Sequence, residues 1–115
     1  MKFQLTKHRE LWEWLADNLS GEDGELSPEE YLAKYKEQWF EAHNEPKIFN
    51  CCYACDYAVK VNVESPCSAC PLWYDCKTGI YTDLLSAIES KDDEKIYEMC
   101  MMFQKSPVKR NVEVE

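Results

Sequence analysis

Apolar residues return along the first part of the chain at steps of three and four. Leu11, Trp12, Leu15 and Leu19 recur this way among charged neighbours, which predicts an amphipathic helix of about three to four turns. Thr6 is placed to cap it and Gly21 to stop it. Trp14 lies off the stripe, and His8 falls on the charged side as an expected solvated residue. A second helix is announced by Ser27-Pro28-Glu29-Glu30, which sets a hydroxyl at the N-cap, proline at the first helical position and a carboxylate three residues on. Tyr31, Leu32, Tyr35, Trp39 and Phe40 give that helix an aromatic face suited to core packing. Further on, Tyr81, Leu84, Leu85 and Ile88 predict a third short helix. Ile96, Met99, Cys100 and Phe103 predict a fourth, which begins after Ser90 or Asp92 and ends before Pro107. Between the second and third, Tyr57 to Val63 alternates and holds three valines, the pattern of a strand. Val108 to Val114 offers another. The fold class expected is mainly α with a small irregular zinc-knuckle module, α+β only in the sense of a few short strands.

Cysteine content divides this pattern into three parts of a single domain, 1–115. Residues 1–49 form a helical N-terminal arm without cysteine, residues 50–78 hold all but one of the seven cysteines, and residues 79–115 form a helical C-terminal arm. A chain of this length buries roughly two-thirds of its unfolded surface, a modest core that cross-linking would strengthen. The longest apolar run is Met99 to Phe103, far short of a membrane span, and Met1 to Thr6 lacks the pattern of a signal peptide. A cytoplasmic protein with no membrane association is the expectation. In a reducing compartment, closely spaced thiols serve metal binding more often than a disulfide framework.

The module reads Cys51-Cys52-Tyr53-Ala54-Cys55, then eleven residues, then Cys67-Ser68-Ala69-Cys70, and later Cys76. Two Cys-x2-Cys pairs joined by a short loop build a tetrahedral site, since each pair supplies two thiolates from one tight turn. Cys52, Cys55, Cys67 and Cys70 are the ligands expected, with Cys76 and then Cys51 as alternates. Soft sulfur donors select zinc over magnesium or calcium. Four thiolates leave no open coordination position, so the Zn2+ is expected to be structural, supplying on the order of 10 to 16 kcal/mol of apparent binding energy. Cys100, isolated on an apolar helix face, reads as core filling.

Two catalytic readings compete with this one. His43-Asn44-Glu45 followed by Pro66-Cys67-Ser68-Ala69-Cys70 matches the pattern of a zinc-dependent deaminase, with His43, Cys67 and Cys70 on the metal and Glu45 moving protons. Such enzymes display these residues on helices backed by a multi-stranded sheet, which this chain does not predict, and the reading leaves Cys52 and Cys55 without a role. A thiol redox pair would open a helix beside a strand, an order neither pair shows. Glycine at only 21, 24 and 79 excludes a Gly-rich phosphate loop. No enzyme activity is expected.

Asn50 to Ala58, then Cys67-Ser68-Ala69-Cys70-Pro71-Leu72-Trp73 and Cys76, together resemble small cysteine-rich zinc-binding proteins of bacteriophages and prophages. Those proteins similarly begin with a Leu-Trp-x-Trp-Leu-Ala helix, here Leu11 to Ala16, and close with a Tyr-containing helical segment like Tyr81 to Phe103. The resemblance spans most of the chain. It implies a phage origin, a location in the host cytoplasm and a zinc-binding fold with Cys52, Cys55, Cys67, Cys70 and Cys76 as metal candidates; Cys51 is a departure.

Charge bears on the partner. With 13 basic and 22 acidic residues the chain carries −9, which argues against direct contact with a phosphate backbone. The leading expectation is a noncatalytic accessory protein that binds a host or defence protein. Acidic clusters such as Glu22-Asp23, Glu29-Glu30 and Asp92-Asp93-Glu94 could serve an inhibitor that competes for a basic groove, but they fit ordinary solvated faces and helix starts better. A nucleic-acid-binding zinc module is the alternative, for which Lys47, Lys60 and Lys77 supply few nearby cations.

Overall fold

The apolar stripes meet in one core. A computed structural model describes residues 2–19, 25–46, 53–62, 64, 69–72 and 79–115. The described residues contain five helices: α1 (Leu5–Asn18), α2 (Pro28–Ala42), α3 (Tyr53–Val61), α4 (Ile80–Glu89) and α5 (Asp93–Lys105). The protein is mainly helical, as its periodicity predicts. The broadest packing joins α1 to α5 and then α4 to α5; α2 rests on α1 and α4, and α3 on α1. Leu11, Trp12 and Leu15 of α1 face Ile96, Cys100 and Phe103 of α5 in the buried cluster. The Trp12 ring stacks on Phe103 with centroids 4.4 Å apart, and Lys36 of α2 sets its ammonium 5.3 Å from the same indole, a cation over the negative face of a ring.

Helix starts and stops follow local chemistry. Ser27 Oγ accepts the Glu30 amide at 3.2 Å, the cap expected for α2, and donates to the Glu30 carboxylate at 2.9 Å; the carboxylate thus meets the cap hydroxyl rather than the Ser27 amide of a full capping box. Asp92 caps α5 by accepting the Lys95 amide at 3.1 Å. Gly79 precedes α4 with φ 88°, a left-handed turn that glycine enters without Cβ strain. α4 ends on Lys91, whose φ of 57° lets the Asp92 amide return to the Ala87 carbonyl at 3.0 Å.

Several expectations are corrected. Tyr57 to Val61 is the second half of α3, not a strand. Tyr53, Ala54 and Ala58 bury on one side, and Asp56 pairs with Lys60 at 2.9 Å one turn apart; packing of that small-residue face onto α1 outweighs the β preference of the valines. Val63 lies outside the described residues. The segment 108–114 is no continuous strand: a turn at Arg110–Asn111 splits it into two isolated bridges, Leu72 with Val108 and Phe3 with Val114. Thr6 does not cap α1. The helix starts earlier, at Leu5, after Gln4 and without a side-chain cap, because buried Phe3 is already fixed by the C-terminal segment: its amide bonds Glu113 at 2.8 Å and its carbonyl accepts Glu115 at 2.9 Å. Leu19 is the C-cap of α1; Gly21 lies outside the described residues. Trp14 is half-buried against Tyr35, ring centroids 6.2 Å apart.

His8 is the largest departure. It is fully buried, where a solvated position was expected. The physical reason is plain in hindsight of the helix register: His8 precedes Leu11 and Trp12 by three and four positions, so it extends their stripe by one turn.

Candidate metal centre

Of the four expected ligands, the described residues include Cys55 and Cys70. Cys55 stands in the first turn of α3, half-buried and packed against the core. The N-terminal end of a helix favours negative charge, which suits a thiolate. Cys70 is buried, 9% exposed, in the turn after Ala69. That turn is tied down from the other end of the chain: the Lys109 amide donates to the Pro71 carbonyl at 2.8 Å, and Leu72 bridges Val108. A cleft of about 630 Å³ brings Cys70 together with Tyr57 and Val61 of α3 and with Lys109 and Arg110. Cys70 thus sits beside α3, the helix that carries Cys55.

Cys52 and Cys67, and the alternates Cys76 and Cys51, lie outside the described residues, as does Trp73. Among the described residues no group of three or more His, Cys, Asp or Glu side chains gathers as a metal site. Two sulfur donors held on adjacent elements are compatible with the chemistry of a Zn(Cys)4 centre, in which Cys55 and Cys70 would each be one half of a pair. Cys100 is a different case. It is a fully buried thiol inside the helical core, and burial pushes its pKa up to about 12 against an opposing effect of Lys36.

The His43-Asn44-Glu45 tripeptide, read above as half of a deaminase pattern, forms the stop of α2. The His43 amide returns to the Trp39 carbonyl at 3.0 Å and the Glu45 amide to the Phe40 carbonyl at 2.9 Å, around Asn44 at φ 52°. The His43 ring stacks on Trp39 at 4.5 Å and its Nδ1–H donates to the Trp39 carbonyl at 2.9 Å. The Glu45 carboxylate pairs with Lys7 of α1 at 2.8 Å. Neither residue is among the described residues that line the cleft beside Cys70.

Two buried polar groups escaped sequence reasoning. His8 bonds through Nε2 to the Phe103 carbonyl at 3.0 Å; since a carbonyl only accepts, Nε2 carries the proton and Nδ1 is left bare, without a partner in the structure. Its helical register was the available signal. Tyr53, at the head of α3, buries its hydroxyl without a partner. Burial, and then the charges of Glu45, Asp56 and Glu10, push its pKa up to about 12. Asp56 follows three residues on in the same helix, whereas Glu45 and Glu10 come from distant parts of the chain that no spacing announces.

No helix among the described residues is long and apolar enough to cross a membrane. Comparison with protein-family models, with curated proteins and with solved structures finds no match.

Proposed function

We propose that this chain is a noncatalytic accessory protein of the phage type, stapled by a structural zinc ion on Cys52, Cys55, Cys67 and Cys70, that works in the host cytoplasm by binding a host or defence protein. The observation that carries the reading is the acidic corner between α4 and α5. Glu89, Asp92, Asp93 and Glu94 are all exposed there, and Glu98 follows one turn on. Asp92 is engaged as a cap, but Glu94 and Glu98 meet no cation among the described residues. Five carboxylates against Lys91 and Lys95 leave this edge of a −9 molecule net negative, which raises its potential toward a basic surface and speeds encounter with it.

Affinity purification from host lysate at low and moderate salt tests this. A specific partner that is released as salt rises supports the reading; recovery of none, or of partners indifferent to salt, overturns it. The nucleic-acid alternative draws on Lys109 and Arg110, which the fold places beside Cys70. Two cations are few for backbone binding by so acidic a chain. A gel shift with DNA or RNA at low salt decides between them.

A further inference from the structure

Helix α5 is buried on one side only. Ile96, Met99, Cys100 and Phe103 fill the core, while Tyr97, Met101 and Met102 lie on the outward side among Glu94, Glu98 and Lys105. These six line one shallow groove of about 600 Å³. Tyr97 is 50% exposed, and the two methionines are half-buried. A solvated helix face ordinarily carries charged and polar groups throughout. A phenol ring and two thioethers along it make a contact surface, since Tyr and Met are enriched at interfaces and the unbranched Met side chain adapts to the shape it meets.

Charge chooses the occupant. Glu94 and Glu98 stand one turn apart beside the apolar groups and Lys105 sits at the far end of the groove; outside it, exposed Asp92 and Asp93 continue the negative edge, set against exposed Lys91 and Lys95. A second copy would bring the same carboxylates and another −9 against them. We propose that this face docks a basic amphipathic helix of the partner protein, its apolar stripe over Tyr97, Met101 and Met102 and its Lys or Arg side chains on Glu94 and Glu98. The proposal rests on the protein-binding reading and adds the place and the chemistry.

The test is calorimetric titration of the full-length, metal-loaded protein with a synthetic helical peptide of Leu and Lys in amphipathic order. Two comparison peptides accompany it: one with Glu in place of Lys, and one of the same composition shuffled so that no apolar stripe forms. The amphipathic basic peptide binds and the other two do not. A Tyr97→Ser/Met101→Ser double variant weakens binding by about tenfold, the effect of truncating central contact residues. A Glu94→Gln/Glu98→Gln variant weakens it and flattens its salt dependence, while Glu13→Gln/Glu41→Gln, which removes equal charge at exposed positions elsewhere, leaves it unchanged. Equal binding of the shuffled peptide, or equal loss in both charge variants, overturns the proposal in favour of diffuse attraction. A dimer seen by light scattering that the Tyr97→Ser/Met101→Ser variant dissolves gives the face to a second copy and also overturns it. In host lysate, capture of the same salt-sensitive partner by wild type and by the Tyr97→Ser/Met101→Ser variant removes the docking site and leaves the protein-binding reading standing; no capture by wild type removes both.

Discussion

His8 Nε2 donates to the Phe103 carbonyl across 3.0 Å, joining residues 95 apart in sequence. The bond serves a helix end. Phe103 lies in the last turn of α5, where carbonyls lack intrahelical partners, and its oxygen also takes a long 3.4 Å bond from the Ser106 amide. His8 also fills space, with its ring 5.4 Å from Phe3 and 6.4 Å from Trp12.

Replacing His8 by Ala removes both contributions at once. We expect a loss of about 2–4 kcal/mol, from the cavity and from the weakened bonding of a buried carbonyl. His8→Gln, which retains a donor, loses less. Urea unfolding followed by tryptophan fluorescence measures both; equal losses would overturn the role given to the His8 bond.

The thiol of Cys100 and the phenol of Tyr53 set an alkaline limit. Both have folded-state pKa values pushed to about 12, above their ordinary values, so each neutral form is favoured in the folded state. Their contribution is complete below the unfolded pKa, near 9 for the thiol and 10 for the phenol, and is lost as pH rises toward 12. Stability should fall from about pH 9 upward, with a slope of at most about 1.4 kcal/mol per pH unit for each group. Cys100→Ala should flatten the fall most between pH 9 and 10, where the thiol of the unfolded chain is the more ionised of the two groups. A Cys100→Ala profile identical to wild type in that interval would refute the assignment.

Backbone conformation gives a prediction of opposite sign. Lys91 holds φ 57° at the end of α4, a conformation that costs an ordinary L-residue roughly 1 kcal/mol. Lys91→Gly should therefore stabilise the protein, by up to about 1 kcal/mol before the added freedom of the unfolded chain is counted. Ser27→Ala should destabilise it by about 1 kcal/mol through loss of the α2 cap. Thermal melts of the two variants should move in opposite directions.

Metal removal tests the centre itself. We expect one zinc per chain by atomic absorption after purification without chelator, with Cys55→Ser and Cys70→Ser each reducing it and Cys100→Ala leaving it intact. Chelation should unfold at least the cysteine module, because the binding energy of a structural zinc, on the order of 10 kcal/mol, matches the net stability of a small domain. His43→Ala should leave metal content unchanged; zinc loss in that variant would bring the deaminase reading back.

The helical arms were legible in the sequence because each helix buries a stripe of matching period and carries its own signals: Ser27 and Glu30 for one start, Asp92 for another. The errors arose where a distant part of the chain intervenes. Thr6 looked like a cap only because nothing local reveals that Phe3 is pinned by Glu113 and Glu115. The alternation of Tyr57 to Val61 is real, yet Ala54 and Ala58, four apart, carry the period that packing on α1 selects. His43 and Glu45 fitted a catalytic pattern by residue type, whereas Asn44 in a left-handed conformation makes their segment a helix stop. For the candidate metal centre, spacing proposes the cysteines as a group, of which the described residues include Cys55 and Cys70, and the fold adds the tether from Lys109 to Pro71 beside Cys70, which no spacing could announce.

The pairing of Phe3 with Glu113 and Glu115 closes the chain into a ring. The first segment cannot fray alone: releasing residue 3 opens the bonds that hold residues 113 to 115, and releasing those residues leaves the amide and carbonyl of Phe3 without these partners. The amides of Phe3 and Glu115 should exchange with solvent at a common rate set by one shared opening, and cutting away the final residues should loosen the start of α1, at the opposite end of the sequence.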